Sequence, residues 1–138
     1  MKRILFAALM LLAIPAVAEI KSKAITYEHD GTKFTGHLYW DDAIEGKRPG
    51  VMVVHEWWGH NDYARMRARM LAAMGYTALA VDMYGDGKTA NHPEDAGKFA
   101  SAVGGNMPLA KARFEAAMET LKSHKTVNSD DIAAIGYC

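Results

Sequence analysis

The sequence predicts an α/β fold: a mostly parallel sheet with an antiparallel hairpin at its N-terminal edge. Three observations predict it. Two alternating apolar/polar stretches, residues 23–29 and 33–40, flank Asp30-Gly31-Thr32, the pattern of two half-buried strands joined by a tight turn. Two continuous apolar runs, Val51-Met52-Val53-Val54 and residues 76–81, read as strands covered on both faces. Helical periodicity separates those runs from each other and from a third strand at residues 132–136.

The first eighteen residues stand outside this pattern. Lys2 and Arg3 form a basic start, residues 4–14 an apolar core, and Ala16-Val17-Ala18 a small-residue cleavage site. The run is shorter than the roughly 20 residues needed to cross a bilayer. The expectation is a secretory signal peptide over 1–18 and one domain over 19–138, exported and periplasmic, with no membrane attachment after cleavage. Sixteen basic residues less Lys2 and Arg3 leave fourteen against sixteen acidic, so the mature balance is slightly negative. That balance argues against nucleic acid as a partner. Half the residues are apolar, a globular rather than a disordered composition. The single cysteine, Cys138, rules out an internal disulfide framework.

Each element has a local cause. After the hairpin, a polar stretch containing Asp41, Asp42, Glu45, Lys47 and Arg48 is a loop closed by Pro49-Gly50. Asn61 caps a helix in which Tyr63, Met66, Met70, Leu71 and Met74 recur at helical spacing and are expected to form its core face. Arg65, Arg67 and Arg69 are expected to be solvated. Gly75 ends this helix, since glycine takes the left-handed conformation cheaply. Residues 82–93 are a Gly- and Asp-rich loop. A short helix over 93–103 is broken by Gly104-Gly105, and a longer one follows from Asn106 with Pro108 in its first turn. Leu109, Phe114, Ala117, Met118 and Leu121 mark its buried side. Lys122, His124 and Lys125 are expected in its last turn, where positive charge suits the helix dipole. Residues 132–136 then read as a short buried strand.

In such a sheet, ligands bind beyond the carboxyl ends of the strands. Three segments lie there: His55-Glu56-Trp57-Trp58-Gly59-His60, the loop from Asp82 to Lys88, and Cys138. A zinc motif fails for the first, because its histidines are five apart and lie at a strand end rather than four apart on a helix. A calcium loop starting at Asp82 fails because its twelfth position is Pro93 instead of a bidentate Glu. No metal site is expected. His55 and His60 are expected to be hydrogen-bonded loop residues. Gly136-Tyr137-Cys138, by contrast, is the opening of a nucleophile elbow, the sharp turn that lifts a reactive Ser or Cys above a parallel sheet.

Three motifs, Pro49-Gly50-Val51-Met52-Val53-Val54-His55-Glu56-Trp57-Trp58-Gly59, Val81-Asp82-Met83-Tyr84-Gly85 and Gly136-Tyr137-Cys138, resemble successive landmarks of the dienelactone hydrolase family. Order and separation match the first half of that family over residues 21–138. The resemblance implies an α/β-hydrolase-type sheet truncated at the nucleophile elbow, and a Cys-His-Asp hydrolase of a lactone or carboxylic ester that needs no cofactor. Carried over by position, Cys138 is the nucleophile, Glu56 the acid that pairs with the resting thiol and helps form the thiolate, and Trp57 a backbone oxyanion donor. The His and Asp have no equivalent in this chain, which reads as the N-terminal half of such a domain, inactive and poorly stable alone. Tyr84, Asp86 and Lys88 are the substrate-binding candidates. The family places an arginine where this chain has Asp86. A carboxylate there repels a carboxylate substrate, and Lys88 does not reproduce a bidentate fork. Two alternatives stand beside this reading: a non-catalytic exported module binding a small molecule, or a decayed hydrolase fragment. A redox role for Cys138 is weaker, because no second cysteine is present to resolve a disulfide.

Overall fold

A computed structural model describes residues 19–138; the signal segment expected over 1–18 lies outside the described residues. Eight elements follow one another: β1 (Ile20–His29), β2 (Thr32–Asp41), β3 (Arg48–Val54), α1 (Asp62–Ala73), β4 (Thr77–Val81), α2 (Pro93–Gly104), α3 (Met107–Lys122) and β5 (Val127–Gly136). The sheet order is β1-β2-β4-β3-β5. β1 pairs with β2 and β2 with β4 antiparallel, while β3 pairs in parallel with both β4 and β5. This is the fold class that the sequence predicts.

The hairpin turns on Asp30 and Gly31, both at positive φ (47° and 71°), as a two-residue turn matching strand twist requires. β3 and β4 are the central strands. Val51, Met52 and Val53 are buried, as is every residue of β4, so both strands are covered on two faces. One face carries α3 and the larger core, in which Phe34, Leu38, Met52, Leu79, Val81 and Leu121 are almost fully enclosed. The other carries α1 over Val53, Ala78 and Ala80.

Three expectations about these elements are corrected. The buried stripe of α1 is Ala64, Ala68 and Ala72, while Tyr63, Met66, Met70 and Met74 are exposed. Small residues at i, i+4 and i+8 let the helix sit close over Ala78 and Ala80, and the methionines fall one position around the helix. Only Leu71 of the expected face is partly buried against the sheet. α3 ends at Lys122 with Ser123 as its cap, so His124 and Lys125 lie beyond the last turn. His124 instead bonds the Thr126 hydroxyl through Nδ1 at 2.9 Å and packs on Trp40. β5 is longer than expected and is largely exposed, because it occupies the sheet edge and bonds only β3. Its register shifts between Pro49 and Gly50 of the partner strand.

The capping reading holds. Asn61 Oδ1 accepts from the Ala64 amide at 3.3 Å, Asn106 Oδ1 from Leu109 at 3.1 Å, and Gly75 follows α1 at φ 96°. None of the described helices is long and apolar enough to cross a membrane.

Candidate active site

The parallel strands β3, β4 and β5 end side by side, and the chain leaves each one on the same rim of the sheet. From β3 come His55, Glu56 and Trp57, from β4 Asp82 to Tyr84, and from β5 Tyr137 and Cys138. A cleft of about 280 Å³ opens among them, lined by His55, Glu56, Trp57, Tyr84, Tyr137 and Cys138, with α2 closing one side through Val103. Cys138, Glu56, Trp57 and Tyr84, separated by up to 82 positions in the chain, therefore share one wall. Asp86 and Lys88 do not line it. Lys88 faces an adjoining hollow with Phe99 and Arg113, and its Nζ lies 3.9 Å from the Asp86 carboxylate.

The β4 loop is shaped by one side chain that sequence reasoning left as a landmark. Asp82 is fully buried, and its carboxylate accepts four backbone N–H groups. Oδ1 takes those of Tyr84 (3.0 Å) and Gly85 (2.9 Å); Oδ2 takes those of Thr35 (3.1 Å) and Gly87 (2.9 Å). Charged acceptors of this kind make strong hydrogen bonds. Tyr27 adds a further tie, donating its hydroxyl to the Asp82 carbonyl at 2.8 Å and accepting the Asp82 amide at 3.0 Å. The turn then runs through Gly85, Asp86 and Gly87 at φ 95°, 54° and 65°. An Asp followed by two closely spaced glycines was the available signal for such a turn.

The β3 loop is laced to the β4 loop at four points. His55 Nε2 accepts the Met83 amide at 3.2 Å, which leaves the proton on Nδ1 to donate to the Glu56 carbonyl at 2.5 Å. Burial pushes the His55 pKa down, so the ring stays neutral in this arrangement. The Tyr84 hydroxyl donates to the Trp57 carbonyl at 3.0 Å, the Ala90 amide donates to the Trp58 carbonyl at 2.9 Å, and Gly59 bridges Thr89. At Gly59 the loops approach so closely that a Cβ would stand 2.3 Å from the Lys88 carbonyl oxygen, at φ 91°. The peptide after Glu56 is thereby held on its carbonyl side. The Trp57 amide has no acceptor among the described residues. Glu56 is partly buried and the Trp57 ring is 42% exposed over the cleft.

Tyr137 fixes the third wall. Its amide donates to the Val54 carbonyl at 3.3 Å, extending the β3–β5 ladder one step beyond Gly136. Its hydroxyl accepts from Arg67 Nε at 2.8 Å, and Tyr63 meets its ring edge-on at 5.5 Å. Arg67 is thus engaged rather than merely solvated, a correction to the sequence reading. Arg65 is engaged as well, donating to the His60 carbonyl at 2.9 Å. Cys138 is a free, exposed thiol. His55 is a hydrogen-bonded loop residue as expected. His60 is different: its ring stacks on His37 at 5.1 Å, and Nε2 has no partner among the described residues.

Known proteins share this fold. The family model described as the dienelactone hydrolase family matches residues 34–138. The chain belongs to the dienelactone hydrolase family. The chain is 31% identical over 118 residues to the protein usf of Aquifex pyrophilus, a match covering 83% of this chain and 49% of that one. Among solved structures, m3DLH is 41% identical with a TM-score of 0.83, over 86% of this chain and 50% of the other. A dienelactone hydrolase-like promiscuous phosphotriesterase from metagenomic libraries is 34% identical with a TM-score of 0.84, over 88% and 50%. This dienelactone hydrolase family chain therefore spans about half the length of the relatives it matches.

Proposed function

We propose that this chain carries the nucleophile half of an exported, cysteine-dependent hydrolase acting on a lactone or carboxylic ester. The observation that supports it is the convergence of Cys138, Glu56 and Trp57 on one cleft at the carboxyl ends of three parallel strands. In this reading the Cys138 thiolate attacks the carbonyl carbon, and the carbonyl π pair moves onto oxygen. The unpartnered Trp57 amide donates to that oxyanion. Collapse expels the alcohol oxygen, which takes up a proton, and leaves a thioester on Sγ. Water then hydrolyses the thioester to the acid and returns the thiol.

Glu56, which lines the same cleft as the thiol, is the group that holds it at rest and assists its ionisation. Tyr84 walls the substrate space, with Lys88 and Asp86 farther out along the same loop. The triad's His and Asp come from polypeptide outside this chain, and neither a metal nor an organic cofactor enters the steps. The test is turnover of p-nitrophenyl acetate by the protein read through its downstream frame, with intact-mass detection of the acyl adduct. Loss of turnover and adduct in Cys138→Ala supports the reading; turnover unaffected by that change sinks it.

One observation favours a second reading, a non-catalytic module binding a small molecule. Among the described residues, His55 is the one imidazole lining the cleft, and both its nitrogens are engaged. Ligand binding that survives Cys138→Ala, with no acyl adduct in the parent protein, would favour that module.

A further inference from the structure

At the opposite end of the sheet, the strands begin around a second cavity. Its volume is about 290 Å³, slightly under the roughly 300–1,000 Å³ of drug-sized sites. Trp40 from the end of β2, Lys47 and Arg48 from the start of β3, and Lys125 and Thr126 ahead of β5 line it. The seven residues of β3 separate it from the Cys138 cleft by roughly 20 Å, at about 3.3 Å per residue.

Arg48 is the unusual member. It is 6% exposed and stands beside Asp41, itself buried, but meets that residue through its backbone carbonyl rather than its carboxylate. Its Nη1 donates to the Asp41 carbonyl at 2.7 Å and Nη2 to the Ile44 carbonyl at 2.5 Å, while Nε is buried without a partner. Among the described residues, none of the ion pairs involves Lys47, Arg48 or Lys125. Asp42, the one acid on the cavity wall, lies 3.4 Å from Lys21. A buried charge without a counterion is costly, and an anion within reach would offset that cost. His124, packed on Trp40 at 4.9 Å, senses the same field. Burial lowers its pKa first, and Lys125, Lys23 and Arg48 lower it further. Trp40 and Ile44 supply the apolar part of the wall, beside Asp42, Gly46 and Thr126.

We propose that this cavity binds a small organic carboxylate whose oxygens meet the Lys47–Arg48–Lys125 wall and whose apolar body lies on Trp40. The Trp40 surface distinguishes this ligand from a bare inorganic anion, which gains nothing from an indole. Occupancy would tie the loop between β2 and β3 to the segment entering β5 and stabilise the fold by mass action. The site is independent of Cys138 chemistry.

The experiment is a titration of the full chain with benzoate, followed through the backbone amide shifts of Gly46, Lys47 and Thr126, with inorganic phosphate as the comparison arm. The expected result is saturable benzoate binding, tighter than phosphate, weakened at least about tenfold in Lys47→Glu/Lys125→Glu. Both lysines are exposed, and circular dichroism checks that the variant remains folded; Lys47→Gln/Lys125→Gln, a milder change, is expected to weaken binding to a lesser degree. Cys138→Ala should bind benzoate unchanged. Three results would overturn the proposal: no saturation at millimolar benzoate, affinity indifferent to the lysine changes, or phosphate binding as tightly as benzoate.

Discussion

Arg67 and Tyr137, seventy positions apart, join α1 to the end of β5 through a 2.8 Å bond from Nε to the phenol oxygen, with the guanidinium 5.2 Å above the ring. The bond reaches the residue immediately before Cys138, so α1 sets where the thiol is presented. Tyr137 also packs half-buried against Val53, Ala68, Ala78 and Ala80, and this directed contact adds orientation to that packing.

Tyr137→Phe removes the acceptor and keeps the ring. The expected outcome is several-fold faster hydrogen exchange at the Tyr137 amide, with the Val53 and Leu79 amides unchanged. Equal protection in both proteins would show that the β3 ladder alone fixes this end of β5.

Gly59 and Gly87 offer a controlled pair. Both have positive φ, but a Cβ at Gly87 meets nothing within 4 Å, whereas at Gly59 it meets the Lys88 carbonyl oxygen at 2.3 Å. Gly87→Ala should cost about 1 kcal/mol, the strain of a left-handed alanine, and Gly59→Ala more than about 3 kcal/mol, since backbone must move as well. Urea unfolding of the two variants measures the difference; similar costs would contradict the close approach of the two loops.

Asp82→Ala leaves four backbone N–H groups without their acceptor in a buried turn. The expected loss is about 3 kcal/mol or more, with Asp82→Asn intermediate because one oxygen remains. Denaturant midpoints give the comparison, and a near-neutral Asp82→Ala would remove Asp82 from its place as organiser of the loop.

Acid stability should hinge on His60. Burial, then the neighbouring His37 and Arg65, push its pKa down to about 4, while Asp82 opposes and His55 adds slightly. Tyr39 from β2 and Arg69 and Asp62 from α1 are further titratable and charged groups near Arg65 and the ring pair. The folded value lies below the unfolded value of about 6.5, so the unfolded chain binds more protons between them. Stability is therefore fully present above about pH 6.5 and falls as pH drops toward 4, by about 3 kcal/mol for this group. His60→Gln should flatten that part of the pH profile in urea melts; an unchanged slope would assign the acid sensitivity to other groups.

The succession of elements along the chain and both loops flanking the cleft were legible in the sequence because backbone rules act locally; the sheet order, with β4 between β2 and β3, was not. Apolar runs of two-sided burial, an Asp30-Gly31 turn and Asn caps each leave a signature within a few residues. The side chosen by α1 was not legible. Alanines and methionines alternate along one helix, and which stripe faces inward depends on Ala78 and Ala80 across the gap. Nor was the exposure of β5, since an apolar strand reads the same whether its second edge is paired or open. At the site, Cys138, Glu56, Trp57 and Tyr84 were readable as motifs, and they converge. Asp82's four acceptor bonds and Arg67's tie to Tyr137 required three dimensions, because neither partner set is periodic.

The pairing of β3 with β5 also has a consequence in time. Arg48 and Val127 are partners across 79 positions of chain, with α1, β4, α2 and α3 all between them. Closing a loop that long is paid for before its contacts return anything, so β5 docks late, while the β1–β2 hairpin needs only a two-residue turn. The thiol at the end of β5 thus reaches its cleft only after the two loops around it have been built. During folding, the chain assembles the two loops first and brings the Cys138 thiol to them last.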